Sequence, residues 1–212
     1  YYRSKYIKEL AITQIHYWMK IQNRNGSFDE FFPMEESFVA TAFTLYSSCL
    51  SIKFLNEDPT FIRDTAFKAC QFLSSYGNPG ASNQIAAAIA GINQYSDLFS
   101  DTSFNPTVKK LVDVLLESQS DEGWTPEYGG FDTGYQSITL GWLSDYNSKK
   151  KDKRINDALV KIIEFLSNFI HPDGTVGGEY GSRSTSFLAP HGFAFNIGNT
   201  DLASSVMNEI FR

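Results

Sequence analysis

Four glycine-containing turns recur along the chain at a nearly constant interval, and this repeat constrains the fold more than any other feature. The turns occupy residues 23–26, 76–80, 120–123 and 171–174. Their marker glycines are 51, 46 and 51 residues apart, at Gly26, Gly77, Gly123 and Gly174. A period of about 50 residues is typical of a chain built from stacked copies of one supersecondary unit.

Two kinds of helix-forming segment alternate around these turns. Segment 155–170 has one apolar side, with Ile155, Leu159, Ile162 and Leu166 at helical spacing. Segments 38–55, 84–92 and 135–143 are apolar or small almost all round. One-sided helices are typical of a surface, whereas helices that are apolar on every side are buried. The sequence therefore predicts an all-α fold of outer and inner helices, an α/α toroid made of helical hairpins.

The repeat also predicts the domain organisation. Hairpins are expected over residues 4–55, 59–99, 106–147 and 153–197, with a partial repeat over 200–212, in a single toroidal domain spanning 1–212. Four to five hairpins are expected to leave the ring incomplete, with apolar edges exposed. Such edges favour association, either with a second copy in a homo-oligomer or with the remainder of a larger chain.

Composition and charge exclude several classes of partner. A net charge of −6 disfavours nucleic acid. We expect no membrane span because no apolar stretch reaches the length of about 18 residues that a span needs. The lack of a signal-peptide pattern favours the cytoplasm, although a chain without an initial Met leaves processed export open. Cys49 and Cys70 lie in apolar segments and are predicted to be buried free thiols. Neither a metal nor an organic cofactor is expected, since no zinc or calcium spacing is present.

Two of the turns share a local motif that resembles a known repeat. Gln22 opens the pattern Q-x-x-x-G-x-aromatic in QNRNGSF, and Gln119 opens Q-x-x-x-G-W in QSDEGW. This motif resembles the repeat of terpenoid cyclases and protein prenyltransferases, whose hairpins build an α/α toroid. The acidic motifs D-x-D-D and D-D-x-x-D of those families do not occur in this sequence, which disfavours isoprenoid chemistry.

The loops that lead from turn to inner helix carry the candidate binding residues. An acid, an aromatic residue and a glycine recur as Glu127-Tyr128-Gly129 and Glu179-Tyr180-Gly181. These loops are expected to converge at one end of the toroid, where aromatic faces stack on sugar rings and an arginine pairs with a carboxylate. The sequence therefore predicts a glycan or other small polar ligand in the central cavity, bound by Glu127, Tyr128, Asp132, Glu179, Tyr180 and Arg183.

A second resemblance covers about a dozen residues of the third repeat. The stretch GGFDTGYQ, residues 129–136, resembles the G-x-D-x-G-Y stretch of heparinase-like and alginate-lyase-like polysaccharide lyases. The resemblance implies a Tyr or His base that removes the proton next to a uronate carboxyl group. Tyr135 matches the aromatic of the stretch, and His191, after Pro190, is the second candidate for proton transfer. We therefore predict a carbohydrate-active or carbohydrate-binding toroid of lyase or epimerase type that acts on an acidic polysaccharide or glycan intermediate.

Two other interpretations remain open at this point. The loop residues have a structural interpretation, with Ser37, Thr133 and Ser184 as helix N-caps and the acids stabilising helix N-termini. On that interpretation the chain is a non-catalytic scaffold or auxiliary repeat domain that binds a protein partner. The third possibility is a terpenoid cyclase-like or prenyltransferase-like enzyme that lacks the usual motifs.

Overall fold

The computed structural model describes residues 4–77, 79–178 and 180–211. Over these residues the chain contains isolated β-bridges but no strand, so the all-α prediction is confirmed. A short 3₁₀ turn over Pro59–Ile62 precedes α3. The helices are α1 (Lys5–Lys20), α2 (Phe38–Leu55), α3 (Arg63–Ser75), α4 (Ser82–Phe99), α5 (Asn105–Ser118), α6 (Thr133–Lys150), α7 (Lys153–Ser167), α8 (His191–Phe195) and α9 (Asp201–Ile210).

Two compact units make up the chain, and each is described by itself. The first comprises residues 1–77 and 91–108, and the second comprises residues 78–90 and 109–212. In the first unit, α2 packs against α1 and α3. In the second unit, α6 packs against α7 and α8, and α9 packs against the same two helices. In both units, successive helices therefore pack against one another, as the helices of a hairpin do.

Helix α2 forms the core of the first unit. By length and composition alone, this helix of 18 residues is apolar enough to cross a membrane, and it is the single such helix among the described residues. The expectation that no apolar stretch reaches this length is therefore wrong for α2. Leu45, Cys49 and Ile52 on α2 are fully buried within the protein, whereas Phe54 is 80% exposed, so one side of this helix belongs to the core.

The two cysteines are buried and free, as predicted. Burial raises the pKa of the Cys49 thiol to about 12 and raises that of the Cys70 thiol well above its ordinary value. Both side chains therefore remain neutral thiols near pH 7 and act as small apolar residues of the core of the first unit.

Three of the four turns are built in the same way. The glycine N–H donates to the carbonyl three residues earlier, at 3.0, 3.0 and 2.9 Å for Gly26, Gly123 and Gly174. Their φ angles are +93°, +100° and +80°. A Cβ at these positions would lie 2.2, 2.4 and 2.3 Å from a backbone carbonyl oxygen of α3, α7 and α9, respectively. Only glycine allows each turn to approach the next outer helix so closely.

The glutamine of the motif joins each turn to the following hairpin. Nε2 of Gln22 donates to the carbonyl of Gly26 at 3.0 Å and to that of Thr65 on α3 at 2.9 Å. Nε2 of Gln119 makes the equivalent pair of bonds, to Gly123 at 2.9 Å and to Ala158 on α7 at 3.1 Å. One side-chain amide therefore satisfies two carbonyls that belong to successive hairpins.

The second turn and the fourth inner helix depart from this pattern. At Gly77 and Gly80 an added Cβ would meet nothing within 4 Å, so no neighbouring backbone requires glycine there. The inner helix of the fourth repeat is reduced to the 5 residues of α8. Pro190 lacks an N–H and precedes α8, which agrees with the interruption expected from the sequence.

Alanine substitutions of the turn glycines should distinguish the free-energy cost of a positive φ from the cost of a clash with the next helix. Gly77→Ala should be nearly neutral, and Gly80→Ala should cost about 1 kcal/mol because φ is +77°. Gly123→Ala should cost about 1–3 kcal/mol more than Gly80→Ala because its Cβ also collides with α7. Urea unfolding of the three variants measures these differences, and equal losses at Gly80 and Gly123 would contradict the role assigned to the close approach.

Candidate functional site

Three segments of the second unit meet at the N-terminal end of α6. Residues 81–84 at the start of α4 lie on one side of the loop that precedes α6, where Ser82 N–H donates to the Pro126 carbonyl at 3.0 Å. An irregular segment around residues 182–185 lies against the same loop, where Ser182 N–H donates to the Phe131 carbonyl at 2.7 Å. These backbone bonds bring together residues about 50 positions apart in sequence.

Glu127 is fully buried and ties the loop to α4. Its Oε1 accepts the backbone N–H of Asn83 at 2.8 Å, and its Oε2 accepts Nδ2 of the same residue at 2.7 Å. Burial raises the pKa of Glu127 to about 7, although the bonds from Asn83 act in the opposite direction. The carboxyl group therefore titrates near neutral pH while it stays within the protein.

Asp132 is the second fully buried acid, and it serves two segments at once. It is the N-cap of α6, because its Oδ1 accepts Tyr135 N–H at 3.0 Å. The same Oδ1 accepts the Thr185 hydroxyl at 2.5 Å, and Oδ2 accepts the N–H groups of Arg183 and Thr185 at 3.2 and 3.3 Å. One carboxylate therefore caps the helix and fixes the irregular segment.

The capping residues differ in part from those expected. Ser37 caps α2 as predicted, accepting Ala40 N–H at 3.2 Å. The cap of α6 is Asp132 rather than Thr133, and Ser184 lies in the left-handed region at φ +49° with no helix after it.

No three His, Cys, Asp or Glu side chains of the described residues are grouped so as to hold a metal ion.

Four side chains form a partly exposed surface next to these buried acids, which we call the Arg183 platform: Gln84, Tyr128, Tyr135 and Arg183. The Arg183 guanidinium carbon lies 4.7 Å from the centre of the Tyr128 ring and 5.8 Å from that of Tyr135. Nε2 of Gln84 donates to the Tyr128 hydroxyl at 2.8 Å. Burial raises the pKa of Tyr128, so its hydroxyl remains protonated at neutral pH. The platform presents a cation and flat rings in a fixed arrangement.

The structure places the other predicted residues apart from this platform. The Tyr180 ring packs against Phe169 at 5.3 Å, and its hydroxyl is buried without a partner among the described residues. His191 opens α8, and its ring lies so close to Gly141 on α6 that a Cβ there would be 1.7 Å from Nε2. Burial lowers the pKa of His191. Glu179 lies outside the described residues.

Sequence reasoning missed the contributions of Asn83, Gln84 and Thr185. Asn83 and Gln84 come from the shortest of the four loops, which carries no acid or aromatic residue. The available signal was the polar run Ser82-Asn83-Gln84, which opens a segment that is otherwise apolar on every side. Polar residues in such a position need hydrogen-bond partners from elsewhere in the chain.

No protein family and no curated protein matches the sequence, whereas several solved structures match the fold. One match is an inactive variant of an α-1,6-mannanase from Salegentibacter sp., solved in complex with α-1,6-mannotriose. Its TM-score is 0.70 at 13% sequence identity, and the match covers 95% of this chain and 65% of the mannanase chain. Cellobiose 2-epimerase from Spirochaeta thermophila has a TM-score of 0.64 and 15% identity, over 97% of this chain and 63% of its own. The chain spans just under two thirds of the length of each.

These matches decide the fold class. The chain has an α/α toroid fold. That prediction is confirmed. Both neighbours are named for activity on carbohydrates, and neither is a terpenoid cyclase or a prenyltransferase. The first sequence resemblance is therefore confirmed for the architecture and not for isoprenoid chemistry.

The buried Glu127 predicts a pH dependence of stability. Between the ordinary pKa of 4.5 and about 7, the folded protein retains a proton at Glu127 that the unfolded chain releases. The contribution of this group to the free energy of unfolding therefore falls as pH rises through that window, by about 3 kcal/mol. We expect the stability of the wild type relative to Glu127→Gln to decrease by this amount between about pH 5 and about pH 8.

Urea unfolding across this pH range provides the measurement. The exposed Glu164→Gln on α7 is the matched control, and its difference from the wild type should not change in this way. A constant difference between the wild type and Glu127→Gln at all pH values would show that Glu127 is ionised in the folded protein throughout.

Proposed function

We propose that this chain binds carbohydrate at the Arg183 platform and prefers glycans that carry carboxylates. The observation behind the proposal is the exposed Arg183 guanidinium, which lies 4.7 Å from one tyrosine ring and 5.8 Å from another. Flat rings offer stacking surfaces for the apolar faces of sugars, and the planar guanidinium pairs with a carboxylate through two parallel hydrogen bonds.

Charge supports an anionic ligand at this position. Arg183 makes no ion pair with any carboxylate of the described residues, so its charge remains available to a ligand. The two nearby acids are occupied by the protein itself, since Glu127 binds Asn83, and Asp132 binds Thr185 and the backbone. The exposed surface is therefore positive and aromatic, although acids lie beneath it.

The structural neighbours support the ligand class. One is a mannanase that was solved with mannotriose bound, and the other is an epimerase of cellobiose. Those activities belong to longer proteins that share at most 15% identity with this chain. They favour a carbohydrate as the ligand, while the preference for an acidic glycan rests on Arg183.

For the reaction we propose proton transfer at the carbon next to the bound carboxylate. A base removes this proton, and pairing with Arg183 stabilises the negative charge that develops on the carboxylate. Loss of the neighbouring oxygen substituent breaks a C–O bond and forms a C=C bond, and the departing oxygen takes up a proton, which gives a lyase. Return of a proton to the opposite face gives an epimerase.

Tyr135 and His191 are the proposed proton-transfer groups. Tyr135 belongs to the platform itself. His191 contacts Gly141, six residues after Tyr135 and therefore about 9 Å further along α6. Because its pKa is lowered by burial, the imidazole of His191 is neutral near pH 7 and is able to accept a proton.

A second candidate function is a non-catalytic repeat domain that binds a protein partner. The outer helix α1 exposes large apolar side chains, including Tyr6 at 70% and Tyr17 at 59%, with Leu10 between them at 45%. Exposed apolar faces of this kind are typical of protein interfaces. Failure of the glycan-binding experiment below would favour this candidate.

We expect Arg183→Ala to weaken binding of galacturonate oligomers by about 10- to 100-fold, because a charged hydrogen-bond pair is lost. Arg183→Lys should lose part of the affinity, since an ammonium cannot pair with two oxygens in the same plane. Isothermal titration calorimetry measures the dissociation constants, with cellobiose as the neutral comparison.

The matched control is Arg63→Ala in the first unit. Arg63 also lies over an aromatic ring, 5.6 Å from the centre of Phe99, so its removal tests the loss of an arginine–ring contact elsewhere. Its dissociation constants should equal those of the wild type. Unchanged binding in Arg183→Ala at preserved melting temperature would exclude the platform as the glycan site.

The proposed chemistry predicts removal of the hydrogen at C5 of the uronate. In D₂O an epimerase should introduce deuterium at C5, which mass spectrometry detects, whereas a lyase should release an unsaturated uronate, which ultraviolet absorbance detects. Tyr135→Phe should slow either reaction by about 10²–10⁴-fold with little change in affinity, because the ring remains and the acid–base group is lost. Tyr128→Phe is the control, and equal rates in both variants would contradict the role of Tyr135.

A further inference from the structure

A polar cavity lies at the other end of α6. Its volume is about 340 Å³, and it is lined by α6, α7, the end of α8 and the chain after α8, all within the second unit. Asn147 in this cavity is 12 residues after Tyr135, which corresponds to about 18 Å along the helix. The cavity is therefore separate from the Arg183 platform.

The floor of the cavity is held by a fixed network of amides. Asn196 is 1% exposed, and its Nδ2 donates to the Ser144 hydroxyl at 2.8 Å and to the Gly192 carbonyl at 2.7 Å. Its Oδ1 accepts Nδ2 of Asn199 at 2.9 Å. Every polar atom of the Asn196 side chain is thus oriented before any ligand arrives.

Other lining amides retain unused hydrogen-bonding groups. Asn147 is only 7% exposed, and its Oδ1 accepts Asp152 N–H at 2.8 Å. Its Nδ2, the side-chain amide of Asn156 and the Oδ1 of Asn199 have no partner within the described residues. These groups include both donors and acceptors, which is the combination that a hydroxyl group requires. A nearly buried amide with a free donor marks a place for a ligand or water.

The charges around the cavity favour a neutral occupant. Lys153 is paired with Asp157 at 2.7 Å, and Arg154 is paired with Asp152 and Asp113. The carboxyl end of α6 and the amino end of α7 meet at this cavity, so the helix termini give no net preference for an anion. Among the lining cations, Lys151 remains to donate a hydrogen bond.

An aromatic side chain completes the set of contacts. Phe195 lines the cavity and is 48% exposed, so one face of its ring is open to a ligand. A sugar ring has an apolar face for such a contact and hydroxyl groups at its edge for the amides. The volume lies at the lower end of the range for small-molecule sites, which suits a ligand of one or two rings.

We propose that this cavity is a second binding site, which takes a neutral hydroxylated ligand such as an uncharged sugar residue. The site does not depend on the Arg183 platform, because no residue of the platform lines it. The two ends of α6 therefore bind different chemistry, with carboxylated sugars at the N-terminal end and neutral sugars at the C-terminal end.

Side-chain amide resonances in ¹⁵N–¹H NMR spectra test the proposal with methyl α-mannoside and cellobiose as neutral probes and glucuronate as the anionic probe. The NH₂ signals of Asn147 and Asn156 should shift with the neutral sugars and less with glucuronate. Asn156→Ala and Phe195→Ala should each weaken this response by about tenfold. Arg183→Ala should leave it unchanged, so the result is independent of the first proposal.

The matched controls lie outside the cavity. Asn168→Ala removes an asparagine at the other end of α7, and Phe211→Ala removes an exposed phenylalanine beyond α9. Both should bind as the wild type does. The proposal is overturned if neither neutral sugar shifts the two amides, if glucuronate shifts them more, or if Asn156→Ala and Phe195→Ala retain wild-type affinity.

Discussion

The close contact between each turn glycine and the next outer helix is the constraint on which the repeat depends. In three hairpins a carbonyl oxygen of the following outer helix occupies the space that a Cβ would need. The glutamines of the first and third turns add a bond to that same helix. Because the contact is between backbones, it does not depend on the identity of most side chains of the outer helices. The surface of the repeats is therefore free to vary while their spacing stays near 50 residues.

At the N-terminal end of α6 the two acids are buried, whereas the side chains of the Arg183 platform are at least partly exposed. Glu127 and Asp132 are fully buried, and their oxygens are used by Asn83, Tyr135, Arg183 and Thr185. The side chains that remain for a ligand are planar or cationic. The two acids that the sequence predicts as binding residues thus hold the backbone of the segments that carry Arg183 and Tyr135, and in the proposed function this contact positions the platform for a ligand.

The sequence was sufficient for those features that depend on neighbours along the chain. Turn glycines, helical stripes, the interruption at Pro190 and the cap at Ser37 all follow from local spacing. The sequence was insufficient for hydrogen bonds between residues that are far apart along the chain. The pairing of Glu127 with Asn83 joins residues 44 positions apart, and that of Asp132 with Thr185 joins residues 53 apart. Nothing in the local pattern of Asn83 shows that a carboxylate will be buried against it, so the structural use of both acids emerged only from the fold.

The segment that carries Arg183 is attached through its backbone and through the hydroxyls of Ser182 and Thr185. Ser182 N–H binds Phe131, and the N–H groups of Arg183 and Thr185 bind Asp132. None of these bonds involves the Arg183 side chain. In the proposed function, exchange of the side chain at position 183 changes the ligand preference while these bonds to the fold remain. A library randomised at position 183 alone would test this consequence on an intact scaffold.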